Sequence, residues 1–250
     1  MKVSLFIPCL VDRYLPDIGV ACVKLLKSMG IRVYYPGRQT CCGQPAFNAG
    51  YPDLARPLAR KMLKLFDRGD LVVSPSGSCV TMVRESYGDL DLDDADLQRW
   101  KKVKEKVFDL AEFLTRDEVL ERFESKIEAR AVMHHSCHHL RHTKGATALE
   151  TLAAKVEGLE LMTSPEADRC CGFGGAFSAK LPELSIAMAQ DRLQAMAELN
   201  PDVVVLSDAG CILQLRGVLA GSGPADWKAP VIHYAQLFAA ESLAELLHVQ

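Results

Sequence analysis

No stretch of the 250-residue chain reaches the roughly 18 uncharged apolar residues that a membrane-spanning helix needs. The apolar run Val3 to Val11 is broken by Pro8, is followed by Asp12 and Arg13, and lacks a small-residue cleavage site. Neither a transmembrane segment nor a secretory leader is therefore expected. Charge of one sign is also lacking. The 29 basic residues face 32 acidic ones, a formal net charge of −3, so no basic surface points to nucleic acid and no acidic arm is present. Nucleotide signatures are missing too. Gly172-Phe-Gly-Gly175 lacks the Gly-x-Gly-x-x-Gly spacing, no phosphate-binding loop occurs, and the run reads as a glycine-rich turn. With 49% apolar and 24% charged residues, disordered, collagen-like and coiled-coil chains are excluded, and one sizeable domain or two small ones can form.

What is abundant is cysteine, nine in all. Without a leader the expected compartment is cytoplasmic and reducing, where many thiols indicate metal or redox chemistry rather than a disulfide framework. Their arrangement repeats. Cys41-Cys42-Gly43 recurs as Cys170-Cys171-Gly172, KVSLFIPC (2–9) parallels RAVMHHSC (130–137), and LVVSPSGSC (71–79) parallels VVVLSDAGC (203–211). A Pro-initiated helix follows each pair, from Pro52 and from Pro182, and VFDLAEFL from Val107 matches VIHYAQLF from Val231. Repeats of this kind define structural units.

The expected fold is α/β: two tandem duplicated βαβ lobes with small parallel sheets, related by a pseudo-two-fold axis. The first cysteine-rich repeat covers residues 1–120 and the second 121–250, with the seam in a charged helical stretch, 116–129. Val72, Val73 and Val203 to Leu206 read as strands buried on both faces. Cys9, Cys79, Cys137 and Cys211 fall at or just past strand carboxyl ends, where open parallel sheets bind ligands.

Each lobe thus gathers four thiols: Cys9, Cys41, Cys42 and Cys79 in the first, and Cys137, Cys170, Cys171 and Cys211 in the second. Four thiolates suit an iron–sulfur cluster or structural zinc. Zinc sites generally use paired knuckles with two to four residues between ligands, and neither set has one. Adjacent cysteines before a glycine favour a multi-iron anion, because backbone N–H groups can approach it closely and a helix N-terminus follows. Cys22 has no counterpart in the second copy and reads as a small buried hydrophobe.

The twofold Cys-Cys-Gly pattern resembles the cysteine-rich CCG-domain family. That family includes one of the subunits of heterodisulfide reductase and the iron–sulfur subunit of glycolate oxidase, and the resemblance spans nearly the whole chain. A 250-residue chain opening directly on the first copy is most similar to the family's lactate-utilisation branch. The resemblance implies an iron–sulfur electron-transfer subunit of a multi-subunit oxidoreductase that oxidises L-lactate to pyruvate. It also implies partners: a ferredoxin-like iron–sulfur subunit and a further subunit, through which the protein could sit peripherally at a membrane. The fullest family pattern closes each copy with Cys-x-x-Cys, and here Ser76 and Asp208 occupy the first of those positions. Four ligands per copy make one [4Fe-4S] cluster per repeat the simpler expectation. A heterodisulfide-reductase-like subunit acting on a disulfide and a zinc-stabilised scaffold are the alternatives. Ser76 and Asp208 are expected to cap the helices that follow them.

His134, His135, His138, His139 and His142 crowd Cys137, whereas the first copy has no histidine near Cys9. A symmetric ligand role is therefore not expected, and His138 and His135 are the candidates for tuning the site. The stretch Asp89 to Lys106, acidic then basic, reads as a solvated helix, with Trp100 as a candidate anchor for a partner.

Overall fold

A computed structural model describes residues 1–67, 69–165, 167–224 and 226–248. Among the described residues, eight strands form two four-stranded sheets. The first holds β1 (Lys2–Leu5), β2 (Arg32–Tyr34), β3 (Leu71–Ser74) and β4 (Val107–Asp109) in the order β2-β1-β3-β4. The second holds β5 (Lys126–His134), β6 (Glu157–Met162), β7 (Val203–Leu206) and β8 (Val231–His233) in the matching order β6-β5-β7-β8. Every pairing is parallel, and equivalent registers join β1 to β3 (Ser4 opposite Val72) and β5 to β7 (Val132 opposite Val204).

The sequence dictates this layout. The β-branched run Val203–Leu206 is buried throughout and takes a central position, because only a strand covered on both faces can be apolar at every residue. Strands β2 and β6, with exposed and half-exposed residues, lie at the edges. Parallel neighbours need crossovers, supplied by the helices Pro16–Ser28, Pro52–Phe66 and Pro182–Ala197. Each begins with proline, whose missing N–H costs nothing in a first helical turn.

The lobes pack reciprocally. The helix after β4, Leu110–Leu114, lies on Gly145–Ala153 of the second lobe, and the helix after β8, Tyr234–Ala239, lies on Pro16–Ser28 of the first. Equivalent elements thus exchange roles, as a pseudo-two-fold relation requires. One apolar core runs through both lobes from Val3 to Leu246, and Cys22 is fully buried in it, as a small hydrophobe should be. A smaller core around Phe6, Met62, Phe66 and Val80 belongs to the first lobe alone.

Two expectations are corrected. The end of the seam is strand, not helix: Lys126 to Ala131 alternates exposed and buried residues, which is the period of a half-covered strand. The charged stretch is only partly solvated. Its helix, Asp94–Val103, is capped by the Asp93 carboxylate, which accepts from Asp96 N at 2.9 Å. Asp96 is buried between Arg60 and Arg99, at 3.1 and 2.6 Å. Trp100 donates its indole N–H to Val83 O at 2.7 Å and lies so close to Gly88 that a Cβ there would come within 2.6 Å of the ring. The indole N–H is thus taken up inside the fold, and the ring is half-buried. Among the described residues no helix is long and apolar enough to cross a membrane.

Candidate thiol sites

Both cysteine sets assemble at the carboxyl edges of their sheets. Cys9 opens the helix Cys9–Tyr14 just past β1, and Cys137 opens Cys137–Arg141 just past β5. Cys79 and Cys211 sit slightly farther on, in the first turns of Gly77–Arg84 and Ala209–Ser222. The tandem pairs arrive on loops. In the first lobe Gln39 fixes that loop: its Nε2 donates to Leu5 O at 2.8 Å and its Oε1 accepts from Ile7 N at 2.9 Å. One side chain thereby satisfies backbone groups that the strand end leaves open.

The glycine after each pair is a backbone requirement. Gly43 and Gly172 have φ of +91° and +84°, in the left-handed region. A Cβ on Gly43 would approach Ala55 to 3.2 Å, and one on Gly172 would meet Ser185 O at 2.4 Å. The turn also aims the glycine N–H at sulfur. Gly43 N lies 3.4 Å from Cys41 Sγ, and Gly172 N 3.4 Å from Cys170 Sγ.

Sulfur contacts link each set. Cys42 Sγ is 3.4 Å from Cys79 Sγ, and Cys171 Sγ is 2.8 Å from Cys211 Sγ. Cys41 receives hydrogen bonds from the Cys42 and Cys9 thiols, which hold its own thiol down at about 3. Cys170 is held at about 2 by Cys137 and Cys171. The donating thiols are pushed up in return by those same bonds and by burial. Each lobe therefore offers clustered soft sulfur donors, one of them lowered by hydrogen bonds from its neighbours, which suits a thiophilic metal or an iron–sulfur group. Cys22 lies outside both sets, and burial pushes its thiol up, keeping it protonated.

The two sets face each other across the lobe interface. The helix carrying Cys79 contacts the one opened by Cys137, and the helix opened by Cys9 contacts the one carrying Cys211. Asp208 lies between them. Its Oδ1 accepts from Gly210 N at 3.0 Å, which is the expected cap, while Oδ2 accepts from Ser76 Oγ and Ser78 N, each at 3.1 Å. Ser76 stands at the start of its helix without capping it; its hydroxyl is turned to Asp208 instead. Gln44 adds a link, donating to Ser78 O at 3.1 Å and standing 3.3 Å from His138 Nε2.

The histidines divide by partner. His135 faces Glu150 at 3.6 Å and His142 faces Glu85 at 2.9 Å. His139 is buried against Asp109 of the first lobe at 2.9 Å; burial opposes its charge, but the carboxylate more than offsets this and raises the imidazole above its usual value. His134 was not singled out by its sequence position, yet its ligand nitrogen and Sγ of Cys171 and Cys211 all lie within 4.8 Å of one another. Arg192, fully buried, also escaped the sequence reading. Both could have been found in the repeat register, where His134 falls opposite Phe6 and Arg192 opposite Met62. Gly172, Gly174 and Gly175 all have positive φ, and Phe173 packs against Gly210, so the glycine-rich run is a turn beside the second set, as expected. A groove of about 940 Å³ lined by Lys24, Phe123, Lys126 and Phe238 lies at the amino end of β5, the edge opposite the cysteines.

The cysteine-rich domain family (CCG) matches this chain twice, at residues 3–84 and 131–216. Among curated proteins, lactate utilization protein A of Halalkalibacterium halodurans is 41% identical over 89% of this chain and 91% of the relative. The protein of that name from Bacillus subtilis is 37% identical over 95% and 98%. Among solved structures, a hypothetical protein from Helicobacter pylori superposes with a TM-score of 0.57 at 10% identity. It covers 99% of this chain, which spans about half (49%) of that protein, and the likeness shows a shared fold.

Proposed function

The chain belongs to the cysteine-rich CCG domain family, and from that premise we propose that it is an iron–sulfur electron-transfer subunit of a multi-subunit oxidoreductase that oxidises L-lactate to pyruvate. The observation that carries the reading is the twofold assembly of four thiols, each beside a glycine N–H aimed at sulfur. Residues 1–120 and 121–250 are the two units. Cys9, Cys41, Cys42 and Cys79 would hold one [4Fe-4S] cluster, and Cys137, Cys170, Cys171 and Cys211 another. Such a group supplies single-electron transfer. The chain's own residues contribute thiol sulfurs, N–H groups directed at sulfur, and cysteine-bearing helices that touch across the lobe interface. The partners are a ferredoxin-like iron–sulfur subunit and a further subunit of the same complex, and the setting is cytoplasmic.

Direct reduction of a disulfide on a five-thiolate group lacks its fifth thiol, because Ser76 and Asp208 hold the two candidate positions and bond to each other. One observation favours a different second reading. Sulfur separations of 3.4 and 2.8 Å are nearer the ~3.8 Å edge of a tetrahedral zinc–thiolate site, from Zn–S bonds of about 2.3 Å, than a multi-iron cage would ask. Anaerobic purification with iron, sulfide and zinc assays decides between them. About eight iron and eight sulfide per chain with broad brown absorbance is the expected result. Two zinc with neither iron nor sulfide overturns the iron–sulfur reading.

A further inference from the structure

His134 closes β5 and is 1% exposed. Arg192, on the helix Pro182–Ala197, is equally buried and donates from Nε to His134 Nδ1 at 3.3 Å. A guanidinium is always protonated and has no acceptor, so Nδ1 must offer its lone pair to that contact. The hydrogen of a neutral imidazole then sits on Nε2. That atom is buried and has no hydrogen-bond partner among the described residues, and one ring nitrogen lies within 4.8 Å of the sulfurs of Cys171 and Cys211. A protonated Nε2 has no lone pair left for a metal ion, which makes the ring a donor to sulfur rather than a ligand.

The first lobe has no such device. At the matching positions stand Phe6 and Met62, both buried, with Phe6 packed against Phe66 at a centroid separation of 6.0 Å. Hydrogen bonds to cluster sulfurs and nearby positive charge favour the reduced, more negative state of an iron–sulfur centre, and burial keeps the charge unscreened. Arg141 follows Cys137 as Arg13 follows Cys9 in the first lobe, so this charge does not distinguish the two sets. Asp208 has the opposite sign, but its carboxylate is bound by Ser76 and Ser78 of the first lobe as well as by Gly210 of the second, so it acts on both sets.

Resting on the proposed iron–sulfur function, we propose that His134, oriented by Arg192, donates an Nε2–H···S hydrogen bond to the second-lobe cluster, and that this bond and the buried guanidinium make the second lobe the high-potential centre of the pair. Electrons entering at the first lobe then pass singly to the second: the first-lobe centre is oxidised by one electron, the second reduced by one, and no proton need move. His134 and Arg192 are positioning residues that set a direction rather than ligands.

The test is a potentiometric titration of the full-length, cluster-loaded chain, followed by electron paramagnetic resonance and visible absorbance. Two separated one-electron midpoints are expected. The double variant His134→Phe with Arg192→Met copies the first-lobe pair without leaving a buried cation unpaired. It lowers the upper midpoint by about tenfold in the reduction equilibrium, about 59 mV for one electron, and leaves the lower one in place. His134→Gln, which keeps an N–H, retains most of the separation. Cys42→Ser leaves one centre, and that centre titrates at the upper midpoint. Iron present with neither midpoint moved, with both moved equally, or with the second lobe titrating at the lower midpoint overturns this inference alone. Loss of the second-lobe iron in His134→Phe overturns it in favour of a ligand. A chain holding zinc and no iron overturns the proposed function and this inference together.

Discussion

The first lobe backs its thiols with hydrocarbon from Phe6, Met62 and Phe66, whereas the second sets His134 and Arg192 where Phe6 and Met62 stand. Strand order, thiol positions and the positive-φ glycine agree between the lobes; the layer behind the thiols does not. The interface diverges in the same manner. Asp109 and His233 occupy equivalent positions, each the N-cap of a capping box completed by Glu112 or Gln236. Asp109 accepts from Tyr234 and pairs with His139, while His233 donates to Pro75 O at 3.0 Å. Two identical subunits related by symmetry must carry the same residue at equivalent positions. A tandem duplication is free of that constraint, and here it has put an acid in one copy and bases in the other.

The largest effect expected from breaking this comparison is loss of half the metal. Cys42→Ser should empty the first lobe and spare the second, and Cys171→Ser should do the reverse, read as iron and sulfide per chain. Next comes the interface. Asp109→Ala strands His139 and Tyr234 in the core and should cost about 3–5 kcal/mol in a denaturant titration, as loss of one partner of a buried pair does.

A pH effect of similar size belongs to His233. Burial, before any other influence, lowers its imidazole to about 4, and its Nδ1 must stay a lone pair to accept from Ala235 N. The unfolded chain therefore binds this proton more readily. The contribution is present in full above the ordinary histidine value near 6.5 and is lost as pH falls toward 4, at most roughly 3 kcal/mol. His233→Asn, which keeps a capping oxygen, should make the stability–pH curve shallower across that window, the remaining slope coming from His134 and His135, which burial also lowers.

Smaller effects separate the two glycines. Both Gly43→Ala and Gly172→Ala force a left-handed alanine, at about 1–2 kcal/mol. Gly172→Ala should cost more, because its Cβ meets a backbone carbonyl at 2.4 Å, whereas that of Gly43 meets Ala55 at 3.2 Å. Thermal midpoints of the two variants should rank accordingly. Smallest of all, Cys22→Ser should leave iron content and colour unchanged, with only a modest loss of stability; if it bleaches the protein while Cys42→Ser does not, the ligand sets are misassigned.

Much of the fold was legible because apolar periodicity and the repeat act over short stretches. Valine runs marked the central strands, and prolines marked the starts of the long helices. Asp208 was readable as a cap because capping is a local contact. Ser76 was not, since its partner lies 132 residues away in the other lobe. The setting of Trp100 was hidden for the same reason: a charged flank announces exposure, and nothing local reveals that Val83 O will take the indole N–H and that Gly88 will lie against the ring.

The sequence by itself grouped eight of the nine cysteines into two sets of four, because duplication in register needs no coordinates to recognise. It also determined that these thiols lie at strand carboxyl ends, since alternation of strand and helix forces parallel sheets. Only the tertiary structure decided what surrounds them. The reciprocal packing of Leu110–Leu114 and Tyr234–Ala239 on opposite lobes brings the two sets face to face. The burial of Arg192 against His134 joins residues 58 positions apart. Such contacts depend on how helices cross the sheets, and no local pattern encodes that geometry.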